Sequence, residues 1–226
     1  GRADPGCDPG CCCCAFTPCQ TGIALAKGGL MTAILSEKLQ AYDTLLKKWQ
    51  KTINLVSDTT LNDSVTRHFK DSLQILHYLK PGVKTLYDLG SGGGFPGLVL
   101  AAERPDIGCH LIEASQKKCN FLNTVVRELD LKNVTVHPSR IEEMTPILPA
   151  PDVVTARALA NLTRLFELTL PWAGANPDMR YLLLKGETAQ REIKNASEQF
   201  EFDSTCHAST THENGQILEL ENVTPR

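Results

Sequence analysis

The chain has 226 residues, of which 42% are apolar and 22% are charged, a composition typical of one folded domain that excludes a fibrous or disordered protein. No apolar run is long enough to cross a bilayer, so we expect no contact with a membrane. Lysine and arginine number 23 against 26 acidic residues, which excludes a generally basic nucleic-acid binder, so any such partner must meet a local patch.

The cysteines divide the chain into an unusual leader and an ordinary remainder. Residues 1–30 contain a run of four cysteines and precede Met31, so we interpret them as a vector-derived leader and expect disorder. A metal-binding tail and a signal peptide are the alternatives, but the segment lacks histidine and a proper apolar core. Cys109, Cys119 and Cys206 have no C-x-x-C spacing, which favours a reduced cytoplasmic protein without a structural metal.

Two amphipathic helices are predicted in the segment that follows the leader. Apolar residues recur at helical spacing over residues 34–49 and again over residues 61–79, and the Pro-Gly pair at 81–82 ends the second helix. We therefore expect residues 31–82 to form a helical cap that packs as one compact unit with residues 83–226.

After the cap, short apolar strands alternate with helices. The predicted strands are residues 85–89, 109–113, 133–136, 153–155 and 181–184, and the predicted helices are residues 98–103, 116–129 and 187–199. This alternation favours a parallel sheet covered on both faces. Residues 200–207 and 216–220, joined by a turn at 212–215, predict a closing hairpin. The predicted fold is α/β, with a mostly parallel seven-stranded sheet and a helical N-terminal extension.

The most informative segment is the glycine-rich stretch DLGSGGGFPG at residues 88–97, which joins a predicted strand to a predicted helix. Gly92, Gly94 and Gly97 satisfy the G-x-G-x-x-G fingerprint of dinucleotide-binding loops, with Glu113 about twenty residues further on as the acid for a ribose. That fingerprint alone is weak evidence. A nicotinamide enzyme therefore remains one reading of the loop.

S-adenosylmethionine is the cofactor that the loop favours. Asp88 lies directly before the glycines, where a carboxylate suits a cationic, amino-acid-bearing cofactor better than a pyrophosphate. The ribose diol of that cofactor gives Glu113 two hydroxyl groups from which to accept hydrogen bonds. In the purely structural reading, the glycines only form a tight turn and Glu113 only caps the helix that starts near Ser115.

Several separated motifs together resemble the RsmG (GidB) family of ribosomal RNA methyltransferases, over essentially all of residues 31–226. The motifs lie at residues 54–55, 68–73, 88–97, 139–143, 157–158 and 184–186. The resemblance implies a Rossmann-like class I fold that depends on S-adenosylmethionine. It also implies transfer of a methyl group to N7 of one guanine, guanine 527 in the 530 loop of 16S ribosomal RNA.

The resemblance further implies which residues bind the cofactor and what the enzyme acts on. The positions that carry over are Gly90, Phe95, Ile141, Glu142 and Arg157, to which the analysis of the loop adds Asp88, Gly92 and Glu113. Many relatives have aspartate where this chain has the longer Glu113. The expected substrate is 16S ribosomal RNA or the assembling small ribosomal subunit, and we expect a cytoplasmic monomer.

Methylation of guanine N7 needs no general base, because N7 already carries an in-plane lone pair. Catalysis then comes from alignment and from electrostatic help at the base edge. The absence of two sequence motifs agrees with this chemistry. The chain has no Asn/Asp-Pro-Pro-aromatic motif for exocyclic amines, and outside the leader it has no Pro-Cys pair for pyrimidine C5 methylation.

Arg157 and Lys185 are the predicted catalytic residues, because both lie at the carboxyl ends of predicted strands. Arg157 is suited to donate to guanine O6 or to hold a phosphate, and its alternative is a surface salt bridge with Glu142 or Glu143. Lys185 has the same two readings, a substrate contact or a simple strand-end charge. His68 is predicted to lock the cap against the mouth of the site rather than to catalyse.

Two other classes of function remain open at this stage. The first is a methyltransferase of the same fold that acts on a small molecule or a protein, which would turn over without RNA. The second is a module that binds S-adenosylmethionine or a nucleotide without chemistry. Such a module has no need of charged side chains like Arg157 and Lys185 facing an open cleft.

Overall fold

A seven-stranded sheet runs through residues 35–226, the part of the chain that the computed structural model describes. The strands are β1 (Thr85–Leu89), β2 (Gly108–Ile112), β3 (Val134–His137), β4 (Val153–Arg157), β5 (Arg180–Lys185), β6 (Phe200–Ala208) and β7 (Gln216–Pro225). Their order in the sheet is β3-β2-β1-β4-β5-β7-β6, with β1 to β5 parallel and β7 antiparallel to both neighbours. The predicted mostly parallel sheet with a terminal hairpin is confirmed.

The central strands are apolar on both faces, which is why they are recognisable as continuous apolar runs. Leu86 and Leu182 point to one face of the sheet, whereas Tyr87 and Leu183 point to the other, and all four are buried. The edge strand β6 is different, because most of its residues are exposed or only half-buried.

Helices cover both faces of this sheet. The α-helices are α1 (Glu37–Gln50), α2 (Asp58–Leu61), α3 (Asp71–Leu73), α4 (Gly97–Glu103), α5 (Gln116–Glu128), α6 (Ile141–Met144), α7 (Leu162–Ala175) and α8 (Ala189–Ala196). Apolar residues of α1, α4 and α5 share one core layer, and those of α6, α7 and α8 share the opposite one. No helix in the described chain has the length and apolar content that crossing a membrane requires.

The cap differs from its prediction in its second half. Helix α1 forms as expected, with Ser36 at its N-cap. The predicted helix at 61–79 is instead a composite helix, with a π-helical part (Val65–Lys70), the short α3 and a 3-10 part (Gln74–Tyr78). Residues 35–226 form one compact unit, while the predicted leader at 1–30 and the first residues of the cap lie outside the described chain.

Arg180 connects the composite helix to the C-terminal strands. Its buried guanidinium donates to the backbone oxygen of Tyr78 at 3.1 Å and to Oε1 of Glu221 at 2.6 Å, and it also pairs with Glu219. Because a single buried side chain makes all three contacts, it holds the end of the cap against the antiparallel part of the sheet.

We expect Arg180→Ala to lower the free energy of unfolding by about 3 kcal/mol, because two carboxylates lose a shared buried partner. Urea unfolding measures this change. The matched control is Arg127→Ala, which removes an exposed pair with Glu128 and should change stability by less than about 0.5 kcal/mol. Equal effects of the two substitutions would contradict the role given to Arg180.

Candidate functional site

The glycine-rich loop joins β1 to α4 at the carboxyl end of the sheet. Gly90, Gly92 and Gly94 have positive φ angles of 64°, 56° and 86°. A Cβ atom at Gly90 would lie 2.4 Å from Cδ1 of Leu159, so the backbone approaches its neighbour closely as well as turning sharply. The loop therefore needs glycine for its conformation.

Glu113 supports this loop from the end of β2. Its Oε2 accepts a hydrogen bond from the backbone N–H of Gly92 at 2.9 Å, and its Oε1 accepts one from the N–H of Ser115 at 2.8 Å. The contact to Ser115 is the helix-capping contact that sequence reasoning weighed as an alternative. Each carboxylate oxygen has a second lone pair, so the side chain can also accept from the hydroxyls of a ribose.

Asp88 lies beneath the loop. Its side chain is fully buried, Oδ2 accepts from the N–H of Gly97 at 3.2 Å, and Oδ1 has no hydrogen-bond partner within residues 35–226. Burial raises the pKa of Asp88 to about 7, against the lowering effects of Ser91 and Gly97. The carboxyl group thus contacts the start of α4 rather than lining a cavity.

A cavity of about 750 Å³ opens beside the glycines, and we call it the loop cavity. Residues 90–93 form one wall and the segment at 54–60 forms another. The remaining lining residues are His68, Phe95, Lys118, Arg157 and Ala158. An adenosyl cofactor requires close approach to a backbone, a ribose acceptor and an aromatic wall. The glycines and Phe95 line the cavity and supply the backbone and the aromatic wall, so these residues fit S-adenosylmethionine. Glu113 does not line the cavity, but it bonds to Gly92, which does.

Arg157 ends β4 and lies between the sheet and the cap. Its Nη1 donates to Nδ1 of His68 at 2.8 Å and to the backbone oxygen of Arg67 at 3.4 Å. The guanidinium carbon lies 4.9 Å from the centre of the Phe95 ring, a cation–π contact. Three groups therefore hold the guanidinium in one orientation.

The suggested salt bridge between Arg157 and an acidic residue of α6 is wrong. Glu142 pairs instead with Arg164 at 2.9 Å, and Glu143 bonds to Ser139 and to the N–H of Arg140. The carboxylate of Glu143 thus bonds to the residues just before α6, and that of Glu142 bonds to the neighbouring α7.

His68 is neutral because of where it lies. Burial and the nearby Arg157 lower the pKa of His68 to about 4. Since a guanidinium only donates, Nδ1 of His68 must accept, and Nε2 then carries the proton and donates to Oγ1 of Thr60 at 2.9 Å. Ser72 donates to the backbone oxygen of His68 at 2.6 Å, so the cap fixes this residue from below.

An aromatic cluster beneath Arg157 was not identified from the sequence as part of the site. The ring of Phe95 stacks on Tyr42, with centroids 5.3 Å apart, and meets Phe69 edge to face at 5.1 Å. The hydroxyl of Tyr42 donates to the backbone oxygen of Gly93 in the loop. Helical spacing indicated only that Tyr42 and Phe69 are core residues, although both connect the cap to the glycine loop.

A second cavity of about 480 Å³, here called the strand-end cavity, shares Arg157 and Ala158 with the loop cavity. Lys185 lines it at the end of β5, where its Nζ donates to the backbone oxygen of Ala160 and to Oε2 of Glu192, both at 2.8 Å. Ala158 has a positive φ of 52°, so the shared wall includes a residue in the left-handed region. Glu192 was missed by sequence reasoning.

The remaining predicted cofactor residues lie on α6, which follows β3. Ile141 is buried in the core layer that also contains Leu89 and Ile112. Glu142 is exposed beside Arg164, and neither of these α6 residues lines one of the two cavities. The structure thus brings together Gly90, Gly92, Phe95 and Arg157 around the loop cavity.

Comparison with known proteins identifies the family. A family model described as GidB, rRNA small subunit methyltransferase G, matches residues 35–220. Curated proteins named ribosomal RNA small subunit methyltransferase G are similar over most of their length. The one from Rhizobium rhizogenes is 43% identical over 186 residues, 81% of this chain and 90% of that protein. The one from Sinorhizobium fredii is 40% identical over 194 residues, 84% of this chain and 90% of that protein.

Solved structures of low sequence identity share the fold. A putative O-methyltransferase from Klebsiella pneumoniae is 12% identical with a TM-score of 0.56, covering 85% of this chain and 93% of that one. A SAM dependent methyltransferase from Aquifex aeolicus is 16% identical with a TM-score of 0.54, covering 79% and 98%. The fold is that of the Rossmann-like class I methyltransferases. On the family model and the relatives together, the chain belongs to the GidB family, the rRNA small subunit methyltransferase G family.

Proposed function

We propose that this chain transfers the methyl group of S-adenosylmethionine to N7 of a guanine in 16S ribosomal RNA, at guanine 527 of the 530 loop. Membership of the family supports the reaction and the class of substrate. The observation that carries the proposal is that the loop cavity and the strand-end cavity meet at Arg157 and Ala158, where a methyl donor and an acceptor base can face each other.

S-adenosylmethionine, when bound, supplies a methyl group on a positively charged sulfur. The backbone of Gly90 and Gly92 would hold the cofactor, and Glu113, which is bonded to the N–H of Gly92, would accept hydrogen bonds from its ribose hydroxyls. Phe95 would give the adenosyl part an apolar wall. The family resemblance also implies Ile141 and Glu142, which line neither of the two cavities. Asp88 acts through the N–H of Gly97, by holding the start of α4 and thereby the shape of the loop.

The acceptor nitrogen loses no proton, so the site needs neither a base nor a covalent nucleophile. The thiols in the described chain agree with this requirement. Cys109 and Cys119 are buried and burial raises the pKa of both, while the exposed Cys206 lines neither cavity. Arg157 donates to guanine O6 and orients the base, while Lys185, paired with Glu192, fixes the far edge of the site. Alignment of N7 with the methyl group then accounts for most of the acceleration.

The protein should methylate small ribosomal subunits from cells that lack it, with labelled S-adenosylmethionine as donor. We expect one N7-methylguanine, mapped by chemical cleavage to the 530 loop. Gly90→Val should abolish cofactor binding, since valine strains a positive φ and clashes with Leu159. Arg157→Ala should lower the transfer rate at least about a hundredfold, as two or more directed contacts are lost.

The matched control for Arg157→Ala is Arg127→Ala, an exposed arginine on α5 outside both cavities. It should transfer at the rate of the unchanged protein. Cofactor binding without transfer to RNA or to intact subunits would contradict the proposed substrate. Transfer to a small molecule or protein would then favour another methyltransferase, and no transfer at all would favour a binding module.

His68 is proposed as a positioning residue for Arg157, which makes the contact dependent on pH. Its pKa is about 4 in the folded protein and about 6.5 in the unfolded chain, so the unfolded state binds more protons between these values. Acidification through that window should therefore remove about 3 kcal/mol of the stability that the neutral His68 contributes.

His68→Gln provides the comparison, because glutamine keeps an acceptor but does not titrate. Asp88 has the opposite effect on the unfolding free energy, since its raised pKa favours the folded state on acidification. This effect is the same in both proteins. Urea unfolding measured from about pH 7 to about pH 4 should show the unchanged protein losing stability relative to His68→Gln. If the unfolding free energies of the two proteins changed with pH in parallel, His68 would not be a buried neutral histidine.

A further inference from the structure

One side chain in the strand-end cavity has an unpaired acceptor. Gln216 lines this cavity, and its Oε1 is buried without a hydrogen-bond partner anywhere in the described chain. It begins β7 and lies opposite Lys185 in the antiparallel register with β5. A buried acceptor without a partner is costly, and the side chain that carries it lines the cavity, so a donor of a ligand there would satisfy Oε1 once the amide turns toward it.

A second acceptor, Asp71 of the cap, lines the same cavity. The hydrogen bonds from Thr211 at 2.7 Å and from Gln74 at 3.1 Å both go to Oδ1 of its carboxylate. These contacts fix the orientation of the side chain. Its other oxygen, Oδ2, is therefore the atom left to receive a ligand.

The wall that carries these two acceptors is held rigidly. Gln74 is buried, its Oε1 accepts from the N–H of Thr210 at 2.6 Å, and its Nε2 donates to the hydroxyl of Thr211 at 3.0 Å. The composite helix is thereby fastened to the loop between β6 and β7. Such support keeps the acceptors in place before a ligand arrives.

The chemistry of the cavity matches one nucleobase. Two acceptors lie in a cavity that also contains the donor Arg157 at its shared wall. Guanine has the complementary pattern, with the donors N1–H and N2–H₂ beside the acceptor O6. Adenine would turn its N1 acceptor toward Gln216 or Asp71, and this repulsion would reject it. With O6 near Arg157, the adjacent N7 faces the loop cavity.

We propose that the strand-end cavity holds the target guanine, extruded from its RNA, and that Gln216 and Asp71 together accept hydrogen bonds from its N1–H and N2–H₂. The inference rests on the proposed function and deepens it, by assigning base selection to residues of β7 and the cap. An extruded base is the form in which enzymes reach ring atoms within structured nucleic acid.

Two substitutions test the assignment in the full-length protein. Gln216→Leu removes the acceptor, and Asp71→Asn keeps the oxygen that binds Thr211 while replacing the other with a donor. Each should lower single-turnover methylation of unmodified small subunits at least about tenfold. The dissociation constant for S-adenosylmethionine should be unchanged. Gln190→Leu is the matched control, because this exposed glutamine of α8 lies outside the cavity.

Gln216→Glu separates recognition from folding, since a carboxylate also accepts and should retain most of the rate that leucine loses. A further arm uses subunits reassembled around 16S ribosomal RNA with inosine, which lacks N2, at the target position. The unchanged protein should prefer guanosine about tenfold. Asp71→Asn should reduce that preference.

The outcomes distinguish this inference from the proposed function. No methylation of subunits by the unchanged protein would overturn both. An active unchanged protein with Gln216→Leu as fast as Gln190→Leu would overturn base recognition alone. Equal rates on guanosine and inosine, or weakened cofactor binding by Gln216→Leu, would also overturn it, since the residue would then act elsewhere.

Discussion

The hydrogen bond between Arg157 and His68 is the contact on which the arrangement of the site depends. It joins the end of β4 to the composite helix, directly above the ring of Phe95. If His68 were protonated, its Nδ1 would present a second donor to a guanidinium and the two groups would repel each other. Burial keeps the imidazole neutral, so the cap can accept this hydrogen bond from β4. Arg157 therefore keeps its orientation without a carboxylate partner.

Burial in the same low-dielectric region also sets the charge of the carboxyl group beneath the glycine loop. Asp88 lies under α4, and its carboxyl group accepts a hydrogen bond from a backbone N–H. Because its pKa is raised to about 7, this group does not carry a full negative charge beside the aromatic cluster below that pH. Tyr42 bonds to the loop from the other side, through the backbone oxygen of Gly93. Side chains on both sides thus hold the backbone of the loop in shape.

The strands and the glycine loop were predictable because their signals are local. Thr85–Leu89 is a continuous apolar run that ends in a glycine cluster, and the structure has the predicted bounds. Helix α7 was not predicted, since its apolar residues are dense and Pro171 interrupts the pattern. The π-helical turn that brings His68 and Phe69 inward has no sequence signal of its own.

Contacts across the fold were beyond sequence reasoning for a different reason. Lys185 finds Glu192 only because the chain turns into α8 between them, and Glu142 finds Arg164 only because α6 meets α7. Oε1 of Gln216 has no hydrogen-bond partner in the described chain, and no pattern of residue types encodes the lack of a contact. The positions of charged residues at strand ends were predicted, but their partners depend on packing.

The shared wall of the two cavities has an energetic consequence. Arg157 and Ala158 line both of them, so a ligand that shifts this dipeptide in one cavity changes the shape of the other. Thermodynamic linkage then requires the effect to be mutual: whatever one occupant does to the affinity of the second, the second does to the first by the same factor. The positive φ of Ala158 limits the ways in which this wall can rearrange. Any cooperativity between two occupants would act through the two adjacent residues that line both cavities.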